Sequence, residues 1–150
     1  MARDDWGASW SRDGERLVFL SDRDGAQRMY VMAARGGDAK RVTTEAAARA
    51  VEEQPRWSPD GATLGYLRGE GTALSVVVVD VARGTTRTIT PAGQADHDFA
   101  WSPDGAHLAV IRHGDPKARA AATITFVRVS DGVAIASVAT DATLVRWIAP

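Results

Sequence analysis

The chain of 150 residues contains no cysteine, which excludes disulfide bonds, thiolate nucleophiles and cysteine-based metal sites. Only two of its 18 basic residues are lysines, and its formal net charge is −1, so no strong field favours nucleic acid or an anionic membrane. Long apolar runs are also missing, since the longest, around Val76 to Val79, is too short to span a bilayer. We therefore expect neither a nucleic-acid partner nor insertion into a membrane.

Sequence signatures of enzymes and of secretion are equally scarce. No apolar stretch follows the N-terminal Met1 to Asp5, so we expect no signal peptide at this end. No Gly-x-Ser-x-Gly nucleophile motif occurs, and Gly69-x-Gly71 lacks the third glycine and the lysine of a phosphate-binding loop. His97, His107 and His113 do not have the spacing of a metal site. The sequence predicts no catalytic, cofactor-binding or metal-binding residue, and hence a protein that is not an enzyme.

What the chain does contain is one motif repeated three times and begun a fourth time. A period between 40 and 50 residues is typical of repeat architectures, in which each unit buries its apolar faces only against its neighbours. The tryptophans of the three full copies are 47 and 44 residues apart, and Trp147 opens the fourth. The copies read Trp10-Ser11-Arg12-Asp13-Gly14, Trp57-Ser58-Pro59-Asp60-Gly61 and Trp101-Ser102-Pro103-Asp104-Gly105.

Each repeat reads as four short strands joined by turns. In the second copy, Pro59 favours the first turn conformation, Asp60 hydrogen-bonds nearby backbone amides and Gly61 supplies a positive φ. The second and third strands of the repeats are apolar on both faces, which indicates sheets stacked between copies of themselves. The pattern predicts an all-β fold, a β-propeller of four-stranded antiparallel blades. Its blades are expected at about 7–44, 54–90 and 98–139, with an extra strand at about 143–148.

The repeat resembles the blade of TolB-type propellers. The first copy matches along its length except that Arg12 replaces the turn proline, and the other two copies keep the Trp-Ser-Pro-Asp-Gly turn. The matching segments after that turn are Ser21-Asp22-Arg23-Asp24-Gly25, Met29-Tyr30-Val31-Met32, Gly36-Gly37 and Arg41-Val42-Thr43. The resemblance implies a scaffold for a protein or peptide partner and suggests a periplasmic or extracytoplasmic setting. Similar blades in the prolyl oligopeptidase family imply the alternative of a propeller segment that gates a serine peptidase.

Three blades do not close a ring, because propellers have about four to eight blades. The chain can therefore be a segment of a longer propeller, half of a six-bladed ring closed by a homodimer, or an open stack. A three-blade unit that assembles with itself and has no other partner is a further alternative. Thr143 to Ile148 complicates the dimer, because it would compete with residues 7–11 of the partner copy for one inner-strand position.

The residues of the repeat itself are expected to be structural. We expect the tryptophans to anchor the blades, the aspartates to stabilise turns and the glycines to allow positive φ. These are Trp10, Trp57, Trp101 and Trp147, Asp13, Asp60 and Asp104, and Gly14, Gly61 and Gly105.

Binding is instead expected on the face that carries the linkers between blades and the turns between second and third strands. The predicted partner-binding residues are Glu53, Gln54, Asp96, His97, Asp98, Arg23, Arg68, Arg112 and His113. Residues 46–53 read as one or two helical turns capped by Thr44, and 117–120 as an insertion in the third blade.

Overall fold

The fold follows directly from the repeat. A computed structural model describes residues 4–43, 50–92, 94–113, 121–141 and 143–147, and all regular elements within them are strands. Twelve strands form three four-stranded antiparallel sheets, each in consecutive order, which we call blades one, two and three. Blade one contains β1 (Asp5–Trp10), β2 (Arg16–Ser21), β3 (Arg28–Ala33) and β4 (Lys40–Arg41). Blade two contains β5 (Val51–Trp57), β6 (Thr63–Glu70), β7 (Ala73–Asp80) and β8 (Thr86–Thr88). Blade three contains β9 (Asp96–Trp101), β10 (His107–Arg112), β11 (Ala122–Arg128) and β12 (Ala134–Thr140).

The turn after each repeat tryptophan is closed by its own serine and aspartate. In blade two the Ser58 hydroxyl donates to Asp60 Oδ1 at 2.6 Å and accepts the amide of Thr63 at 3.0 Å. Asp60 Oδ1 also accepts the amide of Ala62 at 3.0 Å, and Gly61 follows with φ of 69°. The Ser58 hydrogen bond, with that amide, holds the pKa of Asp60 below its usual value. The carboxylate of each repeat thus serves its own turn, because blades one and three repeat these contacts.

The blades stack face to face through two apolar cores. One core lies between blades one and two and includes Val18, Leu20, Leu64 and Tyr66; the other lies between blades two and three. In blade two the middle strands β6 and β7 are buried on both faces, as the continuous apolar runs predicted. The prediction of an all-β propeller segment is therefore confirmed.

Within the described residues no further blade packs on the two outer faces of the stack, although Phe19, Tyr30 and Ile111 on these faces are buried. We call the side of blade one that points away from blade two the leading face; it carries Trp10, Leu17, Phe19, Tyr30 and Met32. The corresponding side of blade three is the trailing face, formed by the residues that alternate with those of the core: Ala100, Ala109, Ile111, Ile124 and Phe126.

The repeat tryptophans bridge neighbouring blades through their indole groups. Trp57 Nε1 donates to the carbonyl of Ser9 at 3.2 Å, and Trp101 Nε1 donates to the carbonyl of Arg56 at 3.2 Å. In each case the acceptor belongs to the residue just before the tryptophan of the preceding repeat. Trp147 continues the series with the carbonyl of Ala100 at 3.1 Å.

The C-terminal segment, predicted as an extra strand at about 143–148, lies against the first strand of blade three. The amide of Val145 donates to Asp98 Oδ2 at 2.8 Å, and the ring of Trp147 meets that of Phe126 edge-on at 6.0 Å. Residues 143–147 have no strand pairing within the described part of the chain, and Ile148 lies outside it. The segment therefore covers part of the trailing face through side-chain contacts rather than through a backbone ladder.

One local prediction was wrong. Residues 51–53, expected within a helical turn, are the start of β5, since Val51, Glu52 and Glu53 pair with β6. Pairing with a neighbouring strand outweighs the helix propensity of two glutamates. The remainder of that predicted turn, Thr44 included, and the insertion at 117–120 lie outside the described residues. The blades begin at Asp5, Val51 and Asp96, slightly before the expected positions.

Candidate functional site

The linker between blades two and three brings together two histidines that are distant in sequence. His97 and His113 are in contact, with ring centroids 4.2 Å apart and an interplanar angle of 46°. The amide of His113 donates to the carbonyl of Ala95 at 3.3 Å, and the His97 carbonyl accepts the Gln54 side-chain amide at 3.0 Å. These contacts hold the backbone of both histidines in place, and both side chains are exposed.

The backbone around these histidines is strained. Gln54 has φ of 50° and Ala95 has φ of 54°, and they are the only described residues other than glycine with positive φ. Such conformations cost about 1–3 kcal/mol each and concentrate at functional sites. Gly7 occupies the place of Gln54 in blade one, with φ of 64° at the same strand irregularity. Blade two thus places a polar side chain where blade one has glycine.

Two hollows open beside these histidines, and His97 lines both. The axial hollow, of about 470 Å³, forms where the first strands of the three blades and the C-terminal segment converge. The rim hollow, of about 530 Å³, lies between the β6–β7 turn and the linker that precedes β9. The axial hollow is lined by Ser9, Gln54, Arg56, His97, Asp98 and Leu144, among others.

Arg56 is the strongest hydrogen-bond donor of the axial hollow. Its NH2 group donates to Asp98 Oδ1 at 2.5 Å and to Gln54 Oε1 at 3.1 Å, and its guanidinium lies 4.9 Å from the centre of the Phe99 ring. Its NH1 atom is buried and has no hydrogen-bond partner in the described structure. An unpaired buried donor is unfavourable.

The two aspartates on either side of His97 are buried and already engaged. Asp96 Oδ1 accepts Arg112 Nε at 3.0 Å, and Asp96 Oδ2 accepts the hydroxyl of Thr90. Asp98 binds Arg56 through one oxygen and the amide of Val145 through the other. Both carboxylates therefore act as positioning groups for the linker and for the C-terminal segment.

The structure brings most of the predicted partner-binding residues together. Six of them form the environment of the two hollows: Gln54, Asp96, His97, Asp98, Arg112 and His113. Three lie elsewhere. Arg23 lies on the leading face, where it contacts the rings of Phe19 and Tyr30. Arg68 borders a separate hollow beside Glu70, and Glu53 is half-buried in β5.

Sequence reasoning missed Arg56. The residue before the repeat tryptophan is Ser9 in the first copy, Ala100 in the third and Arg146 before Trp147, so the repeat does not fix the residue type at this position. The significance of Arg56 depends on the convergence of β5 and β9, which the sequence does not show.

The groups that the two hollows offer to a ligand are hydrogen-bond donors, such as Arg56, and the imidazole rings of His97 and His113. Among the described residues no group of three histidine, aspartate or glutamate side chains is placed to hold a metal ion. The described part of the chain also contains no helix long and apolar enough to cross a membrane.

Comparisons with known proteins agree with this architecture. The family described as TolB beta propeller domain matches residues 2–140. The uncharacterized peptidase YuxL of Bacillus subtilis (strain 168) is 31% identical over 137 residues, covering 66% of this chain and 20% of that protein. The chain thus spans a fifth of the length of this relative.

Solved structures show the same fold. A putative TolB from Agrobacterium tumefaciens superposes with a TM-score of 0.70 at 20% identity, covering 90% of this chain and 46% of that one. Dipeptidyl peptidase 4 of Porphyromonas gingivalis superposes with a TM-score of 0.68 at 14% identity, covering 89% of this chain and 26% of that one. With the family match over most of its length, the chain belongs to the TolB β-propeller family.

Proposed function

We propose that this chain is a non-catalytic propeller scaffold that binds a protein or peptide at the axial hollow. The observation that carries the proposal is the guanidinium of Arg56 in the lining of the axial hollow, where the side chain stays 25% exposed although it binds Asp98 and Gln54. A peptide carbonyl or carboxylate oxygen placed in the hollow would accept a further hydrogen bond from this guanidinium, with carboxylates favoured because they form the stronger bond.

The surroundings of Arg56 suit an extended peptide. The side chain of Gln54 is held above the hollow by its contacts with Arg56 and with the His97 carbonyl. Pro55 and Leu144 supply apolar lining, and the exposed imidazole of His97 offers a further polar contact. Peptide sites combine such apolar surface with a few fixed polar groups.

Peptides selected from a random display library against the wild-type chain test the proposal. We expect them to carry a carboxylate and to lose at least about ten-fold in affinity to Gln54→Gly and His97→Ala, about one charge-assisted hydrogen bond. Gln54→Gly removes the side chain in a backbone conformation that Gly7 already adopts. His107→Ala, a histidine away from both hollows, is the matched control. Selected peptides that bind all these variants equally would place binding elsewhere.

A second candidate function is supported by the peptidases among the relatives. YuxL and the Porphyromonas dipeptidyl peptidase carry segments similar to this chain within much longer proteins. In that setting the chain would form part of a propeller that gates a serine peptidase domain. A Gly-x-Ser-x-Gly motif encoded downstream of Pro150 would favour this function, and a stop codon there would favour the independent scaffold.

Closure of the ring belongs to the same proposal. Either a second copy or further blades of a longer chain would complete it, since three blades fall short of the usual four to eight. The solution mass at micromolar concentration separates these alternatives, because a homodimer would double the 16.0 kDa of one chain.

A further inference from the structure

Besides the tryptophan bridge, a buried acid joins each pair of neighbouring blades. Between blades one and two, Glu52 Oε2 accepts the amide of Met29 at 2.9 Å and the hydroxyl of Thr43 at 2.8 Å. Glu52 stands at the head of its blade, and both donors belong to the preceding blade. We call this arrangement the acid clamp.

The second interface repeats the acid clamp. Asp96 Oδ2 accepts the hydroxyl of Thr90, and the amide of Val76 lies 3.4 Å from the same oxygen. Glu52 and Asp96 are each the fifth residue before their repeat tryptophan. Thr43 and Thr90 each follow a residue whose amide bonds to the third strand, Val42 to Met29 and Ile89 to Val76. The clamp is therefore a feature of the repeat.

The leading face carries both the acid and the tryptophan that connect the later blades. Within the described residues no preceding blade contacts them there. Asp5 is the fifth residue before Trp10, and its exposed carboxylate is held by two contacts of 3.0 Å from Arg23. Asp96 keeps a similar arginine contact within its clamp, so this ion pair is compatible with docking. Trp10 is 58% exposed, and its indole has no acceptor among the described residues.

The apolar part of the leading face also matches a covered interface. Leu17 and Met32 line an open hollow of about 250 Å³. The same repeat positions in blade two, Leu64 and Val79, are completely buried against blade one. The leading face of blade one therefore has the same repeat positions as the face of blade two that packs against blade one.

The trailing face does not carry the complementary groups. Val138 pairs with Ile124, just as the amide of Val42 bonds to Met29 in blade one. Ala139 therefore occupies the position that Thr43 and Thr90 have in the other blades. Position 139 therefore offers no hydroxyl. The carbonyl of Ala100, which the next tryptophan of the series would need, already accepts Trp147. A second copy of this chain would find neither partner there.

We propose that the leading face docks a further TolB-type blade of different sequence, one that presents a threonine hydroxyl to Asp5 and an open backbone carbonyl to Trp10. The inference rests on the proposed role of the chain as a propeller segment and specifies the blade that precedes it. It excludes the symmetric dimer as the natural closure.

The test is to give the trailing face the two missing features. Ala139→Thr supplies the hydroxyl and Trp147→Ala frees the Ala100 carbonyl, so copies of the double variant can stack head to tail into a six-bladed dimer. Ala139→Val with Trp147→Ala is the matched control, with the same side-chain shape and no hydroxyl. By sedimentation equilibrium we expect the threonine variant to dimerise about a hundred-fold more tightly than the valine variant, because a closed dimer contains two such junctions and one hydrogen bond to a charged group contributes about ten-fold at each.

Asp5 identifies the face that responds. Asp5→Ala, which removes the acceptor, should abolish this difference in the threonine variant and leave the valine variant unchanged. Equal dimerisation of the threonine and valine variants, or an equal effect of Asp5→Ala on both, would overturn the acid clamp. A wild-type chain that is already a tight dimer would overturn the exclusion of a second copy.

Two controls keep the result interpretable. Circular dichroism establishes that each variant is folded, and Trp147→Phe, which removes the indole donor but keeps an aromatic ring, replaces Trp147→Ala if the latter does not fold. Peptide binding at the axial hollow is measured on the wild-type chain and its Gln54 and His97 variants. Loss of the clamp effect with peptide binding intact would refute the docking proposal alone.

Discussion

The four repeat tryptophans are equivalent in sequence but not in environment, and we predict that their replacement by alanine has different costs. Trp57 lies between blades one and two and is 8% exposed, whereas Trp10 on the leading face is 58% exposed. Trp57 also donates to the Ser9 carbonyl and lies 4.5 Å from the Arg16 guanidinium. Trp57→Ala should therefore destabilise the fold far more than Trp10→Ala.

The expected size follows from the burial of the ring. Removing a buried tryptophan costs about 3–5 kcal/mol of the free energy of unfolding. The lost indole hydrogen bond accounts for about 1 kcal/mol of this, and the cation–π contact for about 0.5–1 kcal/mol. Trp10→Ala should stay within about 0.5 kcal/mol, as exposed substitutions do. For a chain of this size the melting temperature should fall by about 6–20 °C for Trp57→Ala alone.

Urea unfolding followed by circular dichroism measures both variants against the wild type. Trp57→Phe is the intermediate variant, since it retains an aromatic ring and removes the indole donor. Equal losses of unfolding free energy for Trp57→Ala and Trp10→Ala, or a loss below about 1 kcal/mol for Trp57→Ala, would refute the stabilising role of Trp57 between blades one and two.

Two further predictions concern the acid clamp and the repeat turn. Thr90→Val keeps the side-chain shape and removes the hydroxyl that donates to buried Asp96; by urea unfolding it should cost about 1.5–3 kcal/mol, and a cost no larger than that of exposed Thr88→Val would contradict the clamp. The Ser58 hydrogen bond lowers the pKa of Asp60 in the folded state, so its contribution to stability is present above the unfolded pKa of about 3.8 and is lost as the pH falls through the lower folded value. The melting temperatures of the wild type and of Asp60→Asn should therefore converge as the pH is lowered from neutral toward 2, and a difference that does not change with pH would refute this linkage.

Local chemistry explains what the sequence predicted correctly. The Ser-Pro-Asp-Gly turn is closed by contacts within one short segment, so its residues specify it without reference to the rest of the chain. The apolar runs of the second and third strands predicted burial on both sides for the same reason, because their pattern of side chains is read directly from the sequence.

Contacts between blades explain what the sequence left out. Val51 to Glu53 form a strand only because β6 is available to pair with them. The contact of His97 with His113 depends on an irregularity in the pairing of β9 with β10, and the positive φ of Gln54 on one in β5. A strand irregularity moves one residue relative to its partner strand, so it changes which side chains meet without leaving a clear pattern in composition.

Because the copies of the repeat have equivalent positions, contacts observed at the interfaces between blades indicate what the same positions can do on the uncovered leading face. An acid stands at the fifth position before the tryptophan in three copies, as Asp5, Glu52 and Asp96, and Ala142 stands there before Trp147. The sequence alone does not show the clamp, because the hydroxyl partners of Glu52 and Asp96 lie in the preceding blade. Two observed clamps assign a role to Glu52 and Asp96, and the third acid supports the proposal for what a docked blade presents. The two ends of the stack are therefore chemically different, since one offers a carboxylate and a free indole while the other has alanine at position 139 and its carbonyl already bound.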